Sequence, residues 1–118
     1  MKKVLPLFLF VLLAFTSCHT EPAVYLLSDS PEEMANNAEK FAKETVKRSR
    51  HYSDEDWIMT IDQFANMTKD YVDKKNQMSQ EDIFRVDSAR LVFTKAVAKN
   101  GDERIVSKIK EVFNEMNN

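Results

Sequence analysis

Residues 53–76 read SDEDWIMTIDQFANMTKDYVDKKN, and this stretch decides the fold of the chain. Ser53 is of a type that caps helices, and the three acidic residues after it favour a first helical turn. The residues that then recur at helical spacing are Trp57, Ile58, Ile61, Phe64, Ala65, Thr68, Tyr71 and Val72. The pattern predicts a long amphipathic helix from Asp54 to about Asn76, with Trp57 at one end of the core.

Two other serines mark helix starts of the same kind. Ser30 is followed by Pro31 and two glutamates, and Ser79 is followed by a glutamine and two acidic residues. Gly101 stands before the last apolar repeat, where a glycine in the left-handed conformation commonly ends a helix. The further predicted helices are Pro31 to about His51, Ser79 to about Asn100, and Asp102 to about Met116.

These four helices predict an all-α fold, a small up-down bundle that follows the N-terminal segment. The short connections between the helices favour antiparallel neighbours. A single glycine and few clusters of β-branched residues agree with a helical chain. We place the bundle domain at residues 30–118.

The third helix carries more apolar surface than one interface needs. One broad face holds Ile83, Val86, Ala89, Phe93, Ala96 and Val97. Phe84, Leu91 and Ala98 recur every seven residues on nearly the opposite side. This second stripe is either sandwiched between the second and fourth helices or forms part of a surface that binds a partner.

The N-terminal segment has the layout of a secretory signal. Lys2 and Lys3 precede an apolar run from Val4 to Phe15, and small residues then lead to Cys18, the only cysteine. Twelve apolar residues are too few for a transmembrane helix, which needs about 20. The four residues that end in Cys18, FTSC, resemble the lipobox of bacterial lipoproteins.

The lipobox resemblance implies that residues 1–17 are a signal peptide and that Cys18 is acylated as the mature N-terminus. A thioether-linked diacylglycerol and an N-acyl chain such as palmitate would make residues 18–29 a lipidated tether. Two or more acyl chains hold a protein stably on a membrane. The open alternative is an ordinary signal peptide with an incidental cysteine nearby.

The charge balance argues against nucleic acid as a partner. Lys2 and Lys3 belong to the predicted signal, so the part after Cys18 is more acidic than the whole chain, whose net charge is −2. Nucleic-acid sites need a basic field. Because no cysteine follows Cys18, we expect no disulfide, and packing must supply the stability.

Residues able to do chemistry are few. His19 and His51 are the only histidines, and one glycine cannot form a phosphate-binding loop. His51 lies near Asp54, Glu55 and Asp56, but these carboxylates share one helical turn and point in different directions. No motif pairs a serine with a histidine. We therefore expect no catalysis, no metal and no cofactor.

Residues 51–57, HYSDEDW, are followed by Asp62-Gln63-Phe64 and by Tyr71. This arrangement resembles a group of small, uncharacterised helical lipoproteins of Gram-negative bacteria, in which a Tyr-Ser/Thr-acid-acid-Asp-Trp start opens a helix with a Phe one heptad later. The resemblance covers roughly residues 52–113 and the lipobox. It implies a helical fold and an envelope location, and no catalytic residues come with it.

Two functions are compatible with these expectations. The first is a membrane-anchored lipoprotein of the cell envelope that acts as an interaction or structural module with a protein partner. The alternative is a small inhibitor or immunity-type protein against an exported toxin or enzyme. His19, rather than an acidic residue, follows Cys18, which in lipoproteins of this kind favours the outer membrane over the inner membrane.

Overall fold

The computed structural model describes residues 21–117, which form four α-helices and no β-strand. The helices are α1 (Pro31–Arg48), α2 (Asp54–Lys74), α3 (Gln80–Asn100) and α4 (Glu103–Asn117). Short 3-10 turns, Ser49–His51 and Lys75–Gln77, follow α1 and α2. The all-α prediction is confirmed, and each helix begins within one residue of its predicted start.

Side-chain caps explain where the helices begin. The Ser30 and Ser79 hydroxyls each accept a hydrogen bond from the backbone amide three residues later, at 3.1 Å. At the start of α2 the cap is reciprocal, because Ser53 Oγ accepts from the Asp56 amide and the Asp56 carboxylate accepts from the Ser53 amide. Asp102 Oδ1 caps α4 at 3.1 Å. Such a cap stabilises a helix by about 1 kcal/mol.

Gly101 ends α3 by a different mechanism from the one that the sequence predicts. Its backbone is extended, with φ −92° and ψ 158°, so the predicted left-handed conformation is wrong. A Cβ atom at this position would lie 2.9 Å from the Val97 carbonyl oxygen and 3.1 Å from Ile105 Cγ2. Glycine therefore allows the start of α4 to approach the end of α3 closely.

Helices α1 and α3 run parallel, side by side. Near the start of α3, Arg85 Nε donates to Glu39 Oε2 of α1 at 3.1 Å. At the end of α3, Asn100 Nδ2 donates to Ser49 Oγ, just beyond α1, at 2.8 Å. The contacts follow the same order along both helices, which fixes their common direction.

Helices α2 and α4 form a second parallel pair. Arg104 at the start of α4 lies 3.4 Å from the Asp54 carboxylate at the start of α2, while Val112 lies near the α2 residues Val72 and Asp73. The chain runs up and down, but the largest helix contacts lie within the two parallel pairs rather than between successive helices. The bundle is thus two layers, α1 with α3 and α2 with α4.

Aromatic stacking joins the two layers. The Phe93 ring of α3 stacks on Phe64 of α2 at 4.4 Å between centroids and on Phe41 of α1 at 5.2 Å. All three rings are fully buried. Trp57 is buried at one end of the core, as predicted, and packs edge-on against Tyr52 at 5.0 Å.

Some apolar helix residues, including two of the stripe predicted for α2, face solvent. Ile58 and Val72 of α2 and Val46 of α1 are each about half exposed. Ile58 lies six positions from Phe64, and this places it about 120° around the helix from the centre of the buried side. Val46 lies about 140° around α1 from Phe41 for the same reason.

The segment before α1 is extended and packs on the bundle. Ala23 and Tyr25 are buried, whereas Val24, Leu26 and Leu27 between and after them are exposed. The Ala23 amide donates to the Tyr52 hydroxyl, and the Tyr25 amide donates to Gln63 Oε1, both at 2.8 Å. Residues from about Ala23 onward are therefore packed on the bundle, inside the range 18–29 that the sequence predicts to be a tether.

Candidate interaction surface

The second stripe of α3 is exposed. Phe84 is 71% exposed and Leu91 is 59% exposed, and Ala98 also faces solvent, so the sandwich interpretation is wrong. The physical reason is the burial of Phe93. Phe84 lies nine positions from Phe93, which is two and a half helical turns, and therefore points to the opposite side.

An apolar groove runs along the outer side of the α1 and α3 pair. Its volume is about 720 Å³, and Ala42 of α1 and Ala89 of α3 line it beside the half-exposed Val46 and Val92. Because alanine side chains are short, a side chain of a bound partner can approach the two helices closely in this groove. A groove of this shape suits the apolar face of a helix.

The rim of this groove is basic. Lys40, Lys43 and Lys47 line its α1 side, and no carboxylate among residues 21–114 forms an ion pair with them. On the α3 side, Arg85 donates to Glu39, and these hydrogen bonds hold the pKa of the Glu39 carboxyl below its usual value. Lys43 also helps to lower the pKa of Glu39 through its charge. With four cations and one carboxylate in its lining, the groove carries a net positive charge in a chain of net charge −2.

The exposed stripe and the groove form one continuous surface. Ser88, Leu91 and Val92 lie four, seven and eight positions after Phe84, so all four residues share a side of α3. We call this the α1/α3 surface; its members are Lys40, Lys43, Val46 and Lys47 of α1 with Phe84, Leu91 and Val92 of α3. Ala98, the third residue of the stripe, is not part of this surface. It lines a smaller cavity of about 220 Å³ with Phe113 of α4.

A buried carboxylate fastens the N-terminal segment to α2. Asp70 is 4% exposed, and its Oδ2 accepts from the Tyr25 hydroxyl at 2.6 Å, the Ser28 hydroxyl at 2.8 Å and the Ser28 amide at 3.1 Å. Its Oδ1 accepts from Lys74. Burial opposes the charge of this carboxylate, but the hydrogen bonds from Lys74, Tyr25 and Ser28 outweigh burial and lower its pKa.

Asp70 lies beside a second cavity, of about 700 Å³, between Leu27 and the α2 and α4 pair. Burial is the main reason that the pKa of Tyr25 is raised, and the hydrogen bond to Asp70 adds to it. The Asp70 carboxylate is thus occupied by protein donors on both oxygens. We interpret it as a structural fastening rather than an acid or base.

Arg90 is a buried cation of the core. Its guanidinium lies 4.3 Å from the Phe113 ring centroid and 5.5 Å from that of Tyr71, and its Nη1 is 3.4 Å from Asp87 Oδ1. Its Nε and Nη2 have no hydrogen-bond partner among the residues described. Burial lowers the pKa of Arg90, and burial together with Asp87 raises the pKa of Tyr71 to about 12. Arg90 holds α4 against α3 by cation-π contacts.

The other sequence candidates do not converge into a site. Cys18 and His19 lie outside the described residues, and His51 is exposed. Asp56 caps α2, and Asp54 lies 3.4 Å from Arg104. Among the side chains of residues 21–114, no three histidine, cysteine or acidic residues are grouped to hold a metal ion. Within residues 21–117 no helix has the length and apolar character needed to cross a membrane.

Comparison of the chain with protein-family models, curated proteins and solved structures finds no match. The lysine rim and the residues Val46 and Val92 were not among the sequence candidates. Lys40, Lys43 and Lys47 recur at a helical spacing that marks one side of α1. The sequence therefore shows that the three lysines share one side of α1. That they lie on the same side of the bundle as Phe84 follows from the parallel pairing of α1 with α3.

The fastening by Asp70 predicts a pH dependence of stability. Because folding lowers its pKa, the charged carboxylate stabilises the fold above its unfolded-state value of about 3.9, and this contribution is lost as pH falls through the lower folded-state value. We expect Asp70→Asn to lower the free energy of unfolding at neutral pH by about 1–3 kcal/mol, and the difference from wild type to shrink in acid.

Urea unfolding of both proteins across the acid range measures this difference. Asp73→Asn is the matched control, because Asp73 is an exposed aspartate on the same helix, three positions further on. If the difference in the free energy of unfolding between wild type and Asp70→Asn stayed constant down to the most acidic pH, the fastening by a charged Asp70 would be contradicted.

Proposed function

We propose that the chain is a lipid-anchored helical protein of the bacterial envelope that docks another protein on its α1/α3 surface. The observation that carries the docking part is the exposure of Phe84 and Leu91 beside a groove rimmed by unpaired lysines. Large apolar side chains exposed next to one another commonly mark interaction sites.

The N-terminal sequence supports the anchor. Two lysines, an apolar run and the residues Thr-Ser before Cys18 resemble the signal and lipobox of lipoproteins. Because His19 rather than an acidic residue follows Cys18, the proposed location is the outer membrane. The resemblance of the HYSDEDW start to small helical lipoproteins of Gram-negative bacteria supports the same proposal.

The position of the packed N-terminal segment is compatible with such an anchor. The Glu21 carbonyl accepts a hydrogen bond from Arg48 Nη1 at 3.3 Å, at the end of α1. Only two residues, His19 and Thr20, lie between Cys18 and Glu21, and the three steps along the chain can span about 11 Å at most. An acylated Cys18 would therefore hold this end of the bundle close to the membrane surface, with α1 and α3 extending away from it.

The proposal includes no catalysis. Asp70 and Arg90, the buried charged groups with the most polar and aromatic contacts, fasten the N-terminal segment and α4 respectively. The groove is lined mainly by alanine, valine and lysine, with Asn36 and Ser88, and its one carboxylate, Glu39, accepts hydrogen bonds from Arg85. The function that these residues support best is therefore recognition.

The anchor is tested by Cys18→Ala. We expect this change to abolish incorporation of labelled palmitate and partitioning into the detergent phase, because Cys18 would carry the acyl chains. Ser17→Ala is the matched control, since alanine is also a small residue before the cysteine and should leave labelling intact. Wild-type protein that incorporates no labelled lipid in bacterial cells would contradict the anchor.

Docking is tested by a photo-crosslinking amino acid placed at position 84 in intact cells. We expect a crosslinked protein adduct from position 84 and none from position 108, because Lys108 is an exposed residue on α4, away from the α1/α3 surface. Mass spectrometry identifies the adduct. Capture of an exported toxin or enzyme would favour the inhibitor or immunity-type alternative, and absence of any adduct at position 84 would contradict docking.

A further inference from the structure

The outer side of α2 combines apolar and acidic side chains. Ile58 is 58% exposed and Met59 is 54% exposed, and Glu55 and Asp62 beside them are exposed as well. Glu55, Ile58, Met59 and Asp62 follow the spacing i, i+3, i+4 and i+7, which places them on one side of the helix. We call these four residues the α2 outer face.

The α2 outer face is complementary to the groove between α1 and α3. Lys40, Lys43 and Lys47 stand at i, i+3 and i+7 along α1, and none of them forms an ion pair with a carboxylate among residues 21–114. Glu55 and Asp62 are likewise outside the ion pairs of the described residues. One surface thus has an apolar centre with cations, and the other has an apolar centre with carboxylates.

We propose that a second copy of this chain docks its α2 outer face on the α1/α3 surface. Ile58 and Met59 of one copy would cover the groove beside Val46 and Val92 of the other, and the carboxylates would reach the lysine rim. Opposite charges around an apolar centre fix the orientation of such contacts. This inference rests on the proposed function and names the partner at its docking surface.

The dimensions of the two surfaces agree. The groove extends along α1 from Asn36 to Lys47, and twelve helical residues span about 18 Å. The α2 outer face, from Glu55 to Asp62, covers eight residues, or about 12 Å of helix. It can therefore lie along about two thirds of the groove.

The arrangement of the layers determines the kind of assembly. The groove lies on the outer side of the α1 and α3 layer, and the α2 outer face belongs to the other layer. One copy can therefore offer both surfaces at once, and the contact is head-to-tail. Contacts of that kind extend into rows unless the rotation between copies closes a ring.

Charge disfavours two other occupants. Residues 1–20 contain Lys2 and Lys3 and no acidic residue, so their docking would place cations beside the lysine rim. An anionic membrane surface would satisfy the lysines, but it would leave the acidic and apolar α2 outer face without a counterpart. A second copy accounts for both surfaces.

The contact can be mapped with a carbodiimide, which joins an amine to a carboxylate only when the two are in close contact. Full-length chain is prepared in ordinary and in ¹⁵N-labelled form, and the two are mixed in a non-ionic detergent before crosslinking. We expect mass spectrometry to find peptides that join Lys40, Lys43 or Lys47 of one isotope to Glu55 or Asp62 of the other.

Charge reversal tests the direction of the contact. Lys43→Glu and Asp62→Lys, each alone, should lower the copy-to-copy crosslinks at least about tenfold, because like charges then face each other. In a mixture of the two single variants, crosslinks should form between unlike copies in both directions, because opposite charges face each other in each, and should stay rare between two copies of the same variant. The double variant should recover the crosslinks.

Lys108→Glu, on the exposed side of α4, is the control that should change nothing. Circular dichroism confirms that each variant folds, which is expected because Lys43 and Asp62 are exposed and make no hydrogen bond within the described residues. Wild-type protein that forms no crosslinks between the two isotopic forms would overturn the inference. So would a Lys108→Glu variant that loses as many crosslinks as Lys43→Glu or Asp62→Lys.

Two further outcomes distinguish this inference from the proposed function. If position 84 captures a different protein in cells and no crosslink joins two copies, docking stands and the second copy is wrong. If the chain binds vesicles of phosphatidylglycerol through Lys43 and no crosslink joins two copies, the groove binds lipid and the inference is again wrong.

Discussion

The stacking of Phe93 between Phe41 and Phe64 is the constraint on which the rest of the structure depends. Its ring lies 5.2 Å from Phe41 in its own layer and 4.4 Å from Phe64 in the other layer. The stack therefore joins the layers and fixes the rotation of α3 about its axis. Once Phe93 points inward, Phe84, nine positions away, must point outward. Truncating a buried phenylalanine of this kind costs about 3–5 kcal/mol.

The same constraint explains how a small bundle keeps an exposed surface for recognition. Two buried charged side chains hold parts of the bundle together. Asp70 fastens the N-terminal segment through Tyr25 and Ser28, and Arg90 packs between aromatic rings. The lysines of α1, which no carboxylate of the described residues pairs with, remain available beside the apolar stripe of α3. Charge and exposed apolar area thus coincide on one side of the molecule, and this is where recognition is proposed.

The sequence predicted the helices well because local signals define them. Serine caps and the apolar repeat placed all four helix starts within one residue. Tertiary relations were harder to predict. The parallel pairing of α1 with α3, the extended backbone of Gly101 and the packing of Tyr25 against Asp70 all depend on contacts between distant residues. For the same reason Phe84 and Leu91 were recognised as a stripe, but the stripe alone could not show whether α2 and α4 covered it.

The central claim is that α3 directs Phe93 into the core and Phe84, on the opposite side of the same helix, to solvent. A matched pair of substitutions in this single helix, Phe93→Ala and Phe84→Ala, tests it most directly through the free energy of unfolding in urea. The account predicts a loss of about 3–5 kcal/mol for Phe93→Ala and less than about 1 kcal/mol for Phe84→Ala. Equal losses, or a larger loss for Phe84→Ala, would contradict the rotation of α3 and with it the proposed docking surface.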